Sequence, residues 1–499
     1  MSTTKRSKKT VTARADIRGV DEVERATRES RDGFEALLAS VEANEARELH
    51  EVERDIFGQL LVLGRAVLQR FLASKGAGRA RAIEVGRIGS ATTLPYHSEK
   101  TTQYLSIFGL IDIAQSYFWS WSGGVGGVAP LKSELNLPER RYSYVLQEWA
   151  TLLAAEGAYD RVTELVEKVF RIKLWKQAAE TIAREAGADV ERFYVERKPP
   201  AARTEGEILV VGLDGKGVPM RKPGQTLDEI QRRKGERGNK KSMATVHTVY
   251  TVAPHERSAR AVVAGLFRER RGDSAVDRAE PQNKHVRATL KGVDTAMEEI
   301  MRHVDQRDPS RTKTRVALVD GEHRLADRPE FGSDWIKILD IFHVSQKVWA
   351  AGTGTVLYGQ GSPDTVGWVG ANLTNLLRGK FNSVLACLKT ERLKPNLSKT
   401  ARETLRLVIH YFENNRDRMR YADYLRQGLP IATGVVEGAC GSFVNDRAER
   451  SGMRWSRDGA EAVLELRAVL LNGHWEEFSE WRVRQERQRL YPDRIRRVA

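Results

Sequence analysis

The segment ILVVGLD, residues 208–214, decides how this chain is read. Five apolar residues and one glycine precede the acid, the composition of a short strand buried on both faces. A carboxylate facing such a core is costly to desolvate unless something pairs with it. RVALVD, residues 315–320, repeats the arrangement, so Asp214 and Asp320 are each expected at the rim of one sheet. TGVVEGACGSFV, residues 433–444, sets Glu437 among Gly434, Gly438, Ala439 and Gly441. Those small residues let a helix approach the sheet closely enough for its carboxylate to reach the same rim. Converging oxygen donors suit Mg²⁺, and two ions held by shared carboxylates can activate an attacking oxygen and steady a leaving one, as phosphodiester cleavage requires.

Each acid has a plainer reading beside this one. Asp214 and Asp320 both precede glycine, and Asp-Gly is a common turn dipeptide. Glu437 near a helix start complements the helix dipole. Asp340 closes a further apolar strand, IKILD, residues 336–340, and competes with Asp320. Asp320 is preferred, because its VDG context repeats LDG, whereas Asp340 pairs with His343 one helical turn on. His343 is either part of the site or a satisfied structural histidine.

Outward from these acids, 499 residues suffice for roughly three domains. With 40% hydrophobic and 30% charged residues the chain reads as globular. No apolar run approaches the length of a membrane span, and no apolar stretch of the signal-peptide kind follows the basic N-terminus. A cytoplasmic, nucleoid-associated protein with no membrane partner is expected. Cys387 and Cys440 are too few for a disulfide framework or a four-thiolate zinc site. The net charge of +15 suits a phosphate backbone. Residues 215–242 hold nine Lys or Arg against three Asp or Glu, and Arg232, Arg233 and Lys234 beside the first acid are candidates for phosphate contact.

The expected organisation is multidomain α+β. Residues 1–32 form a disordered basic arm and linker, and 33–92 a helical segment. There Leu49, Val52, Ile56, Leu60, Leu63, Val67 and Phe71 make a stripe that serves either a dimer contact or packing on the rest of the chain. Residues 93–197 give a β hairpin about Gly109 and a helix-turn-helix-like region. In that region Val162, Leu165, Val166 and Val169 pack one helix, while Ala178, Ile182 and Ala186 face inward from the next. Lys176 and Gln177 near the second helix's start are candidates for base contact, with plain helical packing as the rival. Residues 204–343 begin an RNase H-like sheet, 344–429 are a helical insertion, 430–480 carry the Glu helix and a C-terminal helix, and 481–499 form a basic tail. Arg447, Arg450 and Arg454, at threes and fours, line one side of the Glu helix and are either a DNA track or a solvated face.

Taken in order, EILVVGLDGKGVPM, RVALVDGEH, IKILDIFHVSQKVW, YFENNRDRMRY and PIATGVVEGACGSFVNDRAERSGMRW resemble the DDE transposases of bacterial insertion sequences, most closely the ISKra group within the wider Mutator-like relatives. The resemblance spans roughly residues 95–480. It implies Asp214, Asp320 and Glu437 as catalytic, metal-binding acids, Asp340 and His343 as auxiliary residues, and Mg²⁺ or Mn²⁺ as two ions. Transposon ends and target DNA are the implied partners, met by a homo-oligomer. Many such relatives carry a Cys-x-x-Cys knuckle where this chain has YFWSWSGGVGG, and Trp119 and Trp121 either fill that space as core or stack on bases. Two other functions use the same residues: a DNA-binding regulator without catalysis, and an RNase H-like nuclease without transposition.

Overall fold

In this computed structural model residues 10–42, 47–86, 92–121, 126–221, 241–267, 279–321, 327–353, 362–449 and 453–498 are described. The chain forms two compact units, Met1–Asp189 with Trp475–Ala499, and Val190–His474.

The first unit opens with two long helices, α1 (Thr10–Glu42) and α2 (Leu49–Lys75). Helix therefore replaces the disordered arm expected within residues 1–32, apart from residues 1–9, which lie outside the described residues. The reason is tertiary: Ala26 and Leu37 are buried, and Gly33 faces Leu63 on α2. Strands β1 (Ala82–Gly86), β2 (Thr92–Ser106) and β3 (Gly109–Phe118) follow, β2 and β3 forming the expected hairpin. Gly109 turns it with φ +112, a conformation costly for any residue with a Cβ. After α3 (Pro130–Glu134) and α4 (Tyr144–Glu156), α5 (Tyr159–Phe170) and α6 (Lys176–Glu196) make the helix-turn-helix outline. Arg171 turns the bend in the left-handed conformation with φ 55. Val162 and Val166 are buried as expected, but Val169 is exposed. On α6 the buried row is Ala179, Ile182, Ala183, Ala186 and Val190, so Ala179 takes the place read for Ala178. Trp121 is 91% exposed, which removes it from any core-filling role, and its ring lies 4.4 Å from that of Trp119.

The second unit is built on β4 (Ile208–Pro219), β5 (Lys241–Val252), β6 (Gln282–Thr289), β7 (Thr314–Val319) and β8 (Trp335–Leu339), in spatial order β6-β5-β4-β7-β8. The first three are antiparallel neighbours, and β7 and β8 run parallel to β4. That is the order and polarity of the RNase H-like sheet. Helix α7 (Ala259–Leu266) follows β5, and α8 (Val293–Arg307) supplies the crossover that lets β7 lie parallel to β4. Residues of β4 alternate between two cores. Ile208 and Val210 pack with Val316, Leu318 and Ile338, whereas Leu209, Val211 and Leu213 pack with Ala317 and the α8 residues Met297 and Ile300.

Helices α9 (Ile341–Thr353), α10 (Pro363–Leu377), α11 (Phe381–Arg392), α12 (Lys399–Asn414) and α13 (Tyr421–Arg426) build out the first of these cores. The Glu-bearing helix α14 (Gly434–Ala439) runs on as a π-helix, Cys440–Glu449, and α15 (Arg457–Leu471) closes the unit. The chain then returns to the first unit as α16 (Trp475–Leu490) and β9 (Arg494–Val498), which pairs with β1. The basic tail expected at 481–499 is thus a helix end and a strand of the sheet β3-β2-β1-β9.

Candidate active site

Strand register brings the acids together. Gly212 pairs with Leu318, and Leu318 pairs with Ile338. Continued two residues beyond these pairs, the same register aligns Asp214 on β4 with Asp320 and Asp340, which stand just past the ends of β7 and β8. Side chains alternate along a strand, so the row falls on the face shared by Val210, Leu318 and Ile338. Asp214 does not close its strand as expected: β4 continues to Pro219, paired with β5. Its ladder to β7 stops at Gly212, leaving Asp214 beside an open edge. The turn reading therefore fails for Asp214, whose Gly215 neighbour pairs with Thr245. After Asp320 the chain leaves β7, and Gly321 has φ +88.

Helix α14 crosses this face directly over Gly212. A Cβ built there would lie 2.4 Å from Cγ2 of Val436, closer than real carbons approach. The absence of a side chain at 212 is thus what lets Glu437, next to Val436, come down to the row. Glu437 is half-buried, and its carboxyl is pushed up by burial and by Asp340 and Asp214, against the opposing pull of His343.

Asp340 is fully buried and its carboxylate is saturated. Oδ1 accepts from the backbone N–H groups of Phe342 (3.1 Å) and Thr433 (3.0 Å). Oδ2 accepts from the Thr433 hydroxyl and meets Nδ1 of His343 at 2.9 Å. One side chain therefore caps the first turn of α9, anchors the residue preceding α14 and orients His343. The His343 imidazole is raised chiefly by its bond to Asp340, with Asp320 and Asp214 adding to it. Ligand atoms of Asp340, His343 and Glu437 lie within 4.8 Å of one another. That grouping differs from the Asp214, Asp320 and Glu437 set read from the sequence. Because Asp340 has spent its lone pairs on protein donors, its position in the group is that of an organiser.

Three contacts had no signal in the spacing of the acids. The Cys440 thiol, one turn beyond Glu437, donates to Oδ2 of Asp214 at 3.2 Å. Burial and Asp214 push that thiol up, so it stays protonated and able to donate. In the motif YFENNRDRMRY both tyrosines hold strand ends: Tyr411 donates to the Asp320 carbonyl at 2.7 Å, and Tyr421 to the Leu339 carbonyl at 2.8 Å. Lys347 lies 5.1 Å from the Tyr411 ring centre.

The expected DNA-contacting residues divide. Arg232, Arg233, Lys234 and Arg450 lie outside the described residues. Arg447 is buried, with its guanidinium 4.6 Å from the Trp455 ring centre and Nη1 3.1 Å from the Met453 sulfur, so it is not on a surface track. The π-helix ends at Glu449, so Arg454 lies beyond it and does not continue a helical face with Arg447. Trp455 is core, its indole N–H donating to the Ala448 carbonyl. Arg454 is half-buried. Lys176 and Gln177 are exposed at the start of α6, with Lys176 paired to Asp160 at 2.7 Å.

No protein-family model matches this chain, and no curated protein does. Among solved structures, the Drosophila P element transposase strand transfer complex is similar over 68% of this chain and 80% of that chain, at 10% identity and a TM-score of 0.23. A TM-score this low carries no inference about fold or function.

Proposed function

We propose that this chain is a DNA transposase of the DDE class, resembling the ISKra group, which cleaves and joins strands at the ends of an insertion sequence. The observation that carries the reading is the register row Asp214, Asp320 and Asp340 beneath the Glu437 helix. Within it Asp214, Asp320 and Glu437 are the proposed ligands of Mg²⁺ or Mn²⁺. The donor set fits a hard divalent cation: oxygen donors at a sheet rim, with Glu437 destabilised as an anion by its acidic neighbours. When bound, such ions act as a Lewis acid toward a phosphoryl oxygen and activate the attacking hydroxyl. Asp340 holds α9 and α14 at their starts, Cys440 orients Asp214, and Tyr411 fixes the turn after Asp320. His343, held by Asp340 through Nδ1, is in this reading a donor for a phosphate oxygen.

The experiment uses the full chain and circular DNA carrying its gene with native flanks, in Mg²⁺ or Mn²⁺. Asp214→Asn, Asp320→Asn and Glu437→Gln should each abolish strand cleavage while leaving DNA retention intact, because each removes a ligand charge at nearly constant volume. Cleavage surviving in one variant removes that residue from the set. Preferential cutting of an RNA–DNA hybrid over the flanked gene assigns the site to a nuclease instead.

A further inference from the structure

Helices α1 and α2 form an antiparallel hairpin. Arg70 reaches Thr27, Gln59 reaches Ser40, and Gly33 faces Leu63. Each helix nevertheless leaves a row of large apolar side chains in water: Phe34, Leu38 and Val41 on α1, and Phe57, Leu60, Val67 and Phe71 on α2, all between 43% and 51% exposed. The α2 row has the 3-4-3-4 spacing of a coiled-coil seam, with Gly64 at its middle position. The ring of Phe108 rests against Gly64, 2.6 Å from where a Cβ would stand, and walls one side of the row. At 100° per residue both rows lie roughly 90° round from the line joining the two helices, and antiparallel packing turns both to the same side. The result is one continuous apolar face on a two-helix layer, with α2 as its floor.

We infer that this face is the surface by which two copies of the chain associate, hairpin on hairpin, as a four-helix layer. Its size fits that partner. The seven side chains leave ~700 Å² open on each copy, so two facing copies remove ~1,400 Å² from water, within the range of specific stable interfaces. A face flat along two helices and apolar at its centre pairs with itself about a twofold axis without help from another protein. A bilayer is the poorer occupant. Contrary to the expectation from the sequence, α2 is by length and composition apolar enough to cross a membrane. Yet Arg65 and Arg70 lie along the helix, Arg70 donates to α1, and charges are among the costliest groups to place in hydrocarbon. DNA is the poorer occupant too, because the row itself is apolar and the cations beside it, Arg31 and Arg70 near Phe34 and Lys75 over the Phe71 ring, lie at its border.

The test is independent of the proposed catalysis, since it reads only mass. Sedimentation of the full chain at low micromolar concentration should give twice the mass of one chain. Leu60→Glu combined with Val67→Glu should raise the dissociation constant at least 100-fold with unchanged circular dichroism. Val62→Glu changes an exposed apolar residue on the other side of the same helix and should leave the dimer as it is. The inference is overturned by a wild-type monomer at 50 µM, by a dimer that survives the double substitution, or by equal dissociation in the Val62 variant. Monomers that float with neutral phosphatidylcholine vesicles, and lose this in the double variant, assign the face to a bilayer and overturn it too.

Discussion

Gly212→Ala isolates the contact that brings Glu437 to the strand acids. The added Cβ would meet Cγ2 of Val436 at 2.4 Å and Oγ1 of Thr248 at 3.1 Å. Ordinary carbon contact needs about 3.5–4.0 Å, so α14 must rise by more than an ångström or the valine must leave its rotamer. Overpacking of this kind costs about 1–3 kcal/mol. The opposing gain from a stiffer unfolded chain on replacing glycine is only about 0.4–1 kcal/mol, so the net effect is destabilising. Val436→Ala alone, which removes two buried methyl groups, should cost about 1–2 kcal/mol. The double variant should cost less than the sum of the two, because the alanine Cβ then occupies the space the valine vacated, giving a coupling energy of about 1–2 kcal/mol. A chain of two units does not unfold as one transition, so the assay is amide hydrogen exchange of peptides covering residues 434–449. Each 1.4 kcal/mol of local destabilisation appears there as about a tenfold faster exchange. Strand cleavage should fall with it, since a misplacement near 1 Å can cost about 100-fold in rate. The reasoning is refuted if Gly212→Ala leaves exchange within twofold of wild type, or if the two substitutions are additive.

Other outcomes follow from particular side chains. Arg287 is fully buried between two acids and gives its hydrogen bonds to Glu465 at 2.6 and 2.7 Å, only approaching Glu299 at 3.1 Å. One positive charge cannot neutralise both carboxylates, and burial lifts Glu299 to about 7 against the pull of Arg287. A carboxyl raised in the folded state contributes stability that is complete below its unfolded value and lost as pH rises through its folded one. Amide exchange of peptides covering residues 293–307, corrected for intrinsic rates, should therefore show protection declining between about pH 4.5 and 7, and Glu299→Gln should flatten that slope; an unchanged slope would place the titration elsewhere. Arg447→Ala should destabilise the Glu helix by about 3 kcal/mol, through a lost buried cation contact, while leaving the salt dependence of DNA binding unaltered. A reduced salt slope in that variant would return Arg447 to the DNA surface. Replacing Arg232, Arg233 and Lys234 by Ala should instead weaken binding to all DNA alike and flatten log affinity against log salt by up to about 0.9 per lost phosphate contact. No change would make the basic segment a solvated one.

Much of the site was legible because it depends on local pattern. Both-face burial of ILVVGLD and RVALVD follows from composition alone, and so does the closeness of a helix as glycine-rich as TGVVEGACG. Residue spacing also set Asp340 and His343 on one turn, and their bond is present. What spacing does not contain is register. Whether Asp214 stands level with Asp320 or two residues above it is decided by ladder pairing across more than a hundred residues of chain, and only there does Asp340 join the row. The partners of the acids are likewise long-range: Tyr411 is 91 residues from Asp320, and Cys440 is 226 from Asp214. Arg447 was misread because spacing alone does not show what covers a face, and here its guanidinium lies over the Trp455 ring. Residues 481–499 read as a tail because β9 finds its pairing partner only in β1, about four hundred residues away. Apolar spacing marked the α2 stripe, but whether a stripe is covered depends on what the rest of the chain places over it. Here the fold turns Leu63 toward α1 and leaves Leu60, Val67 and Phe71 exposed.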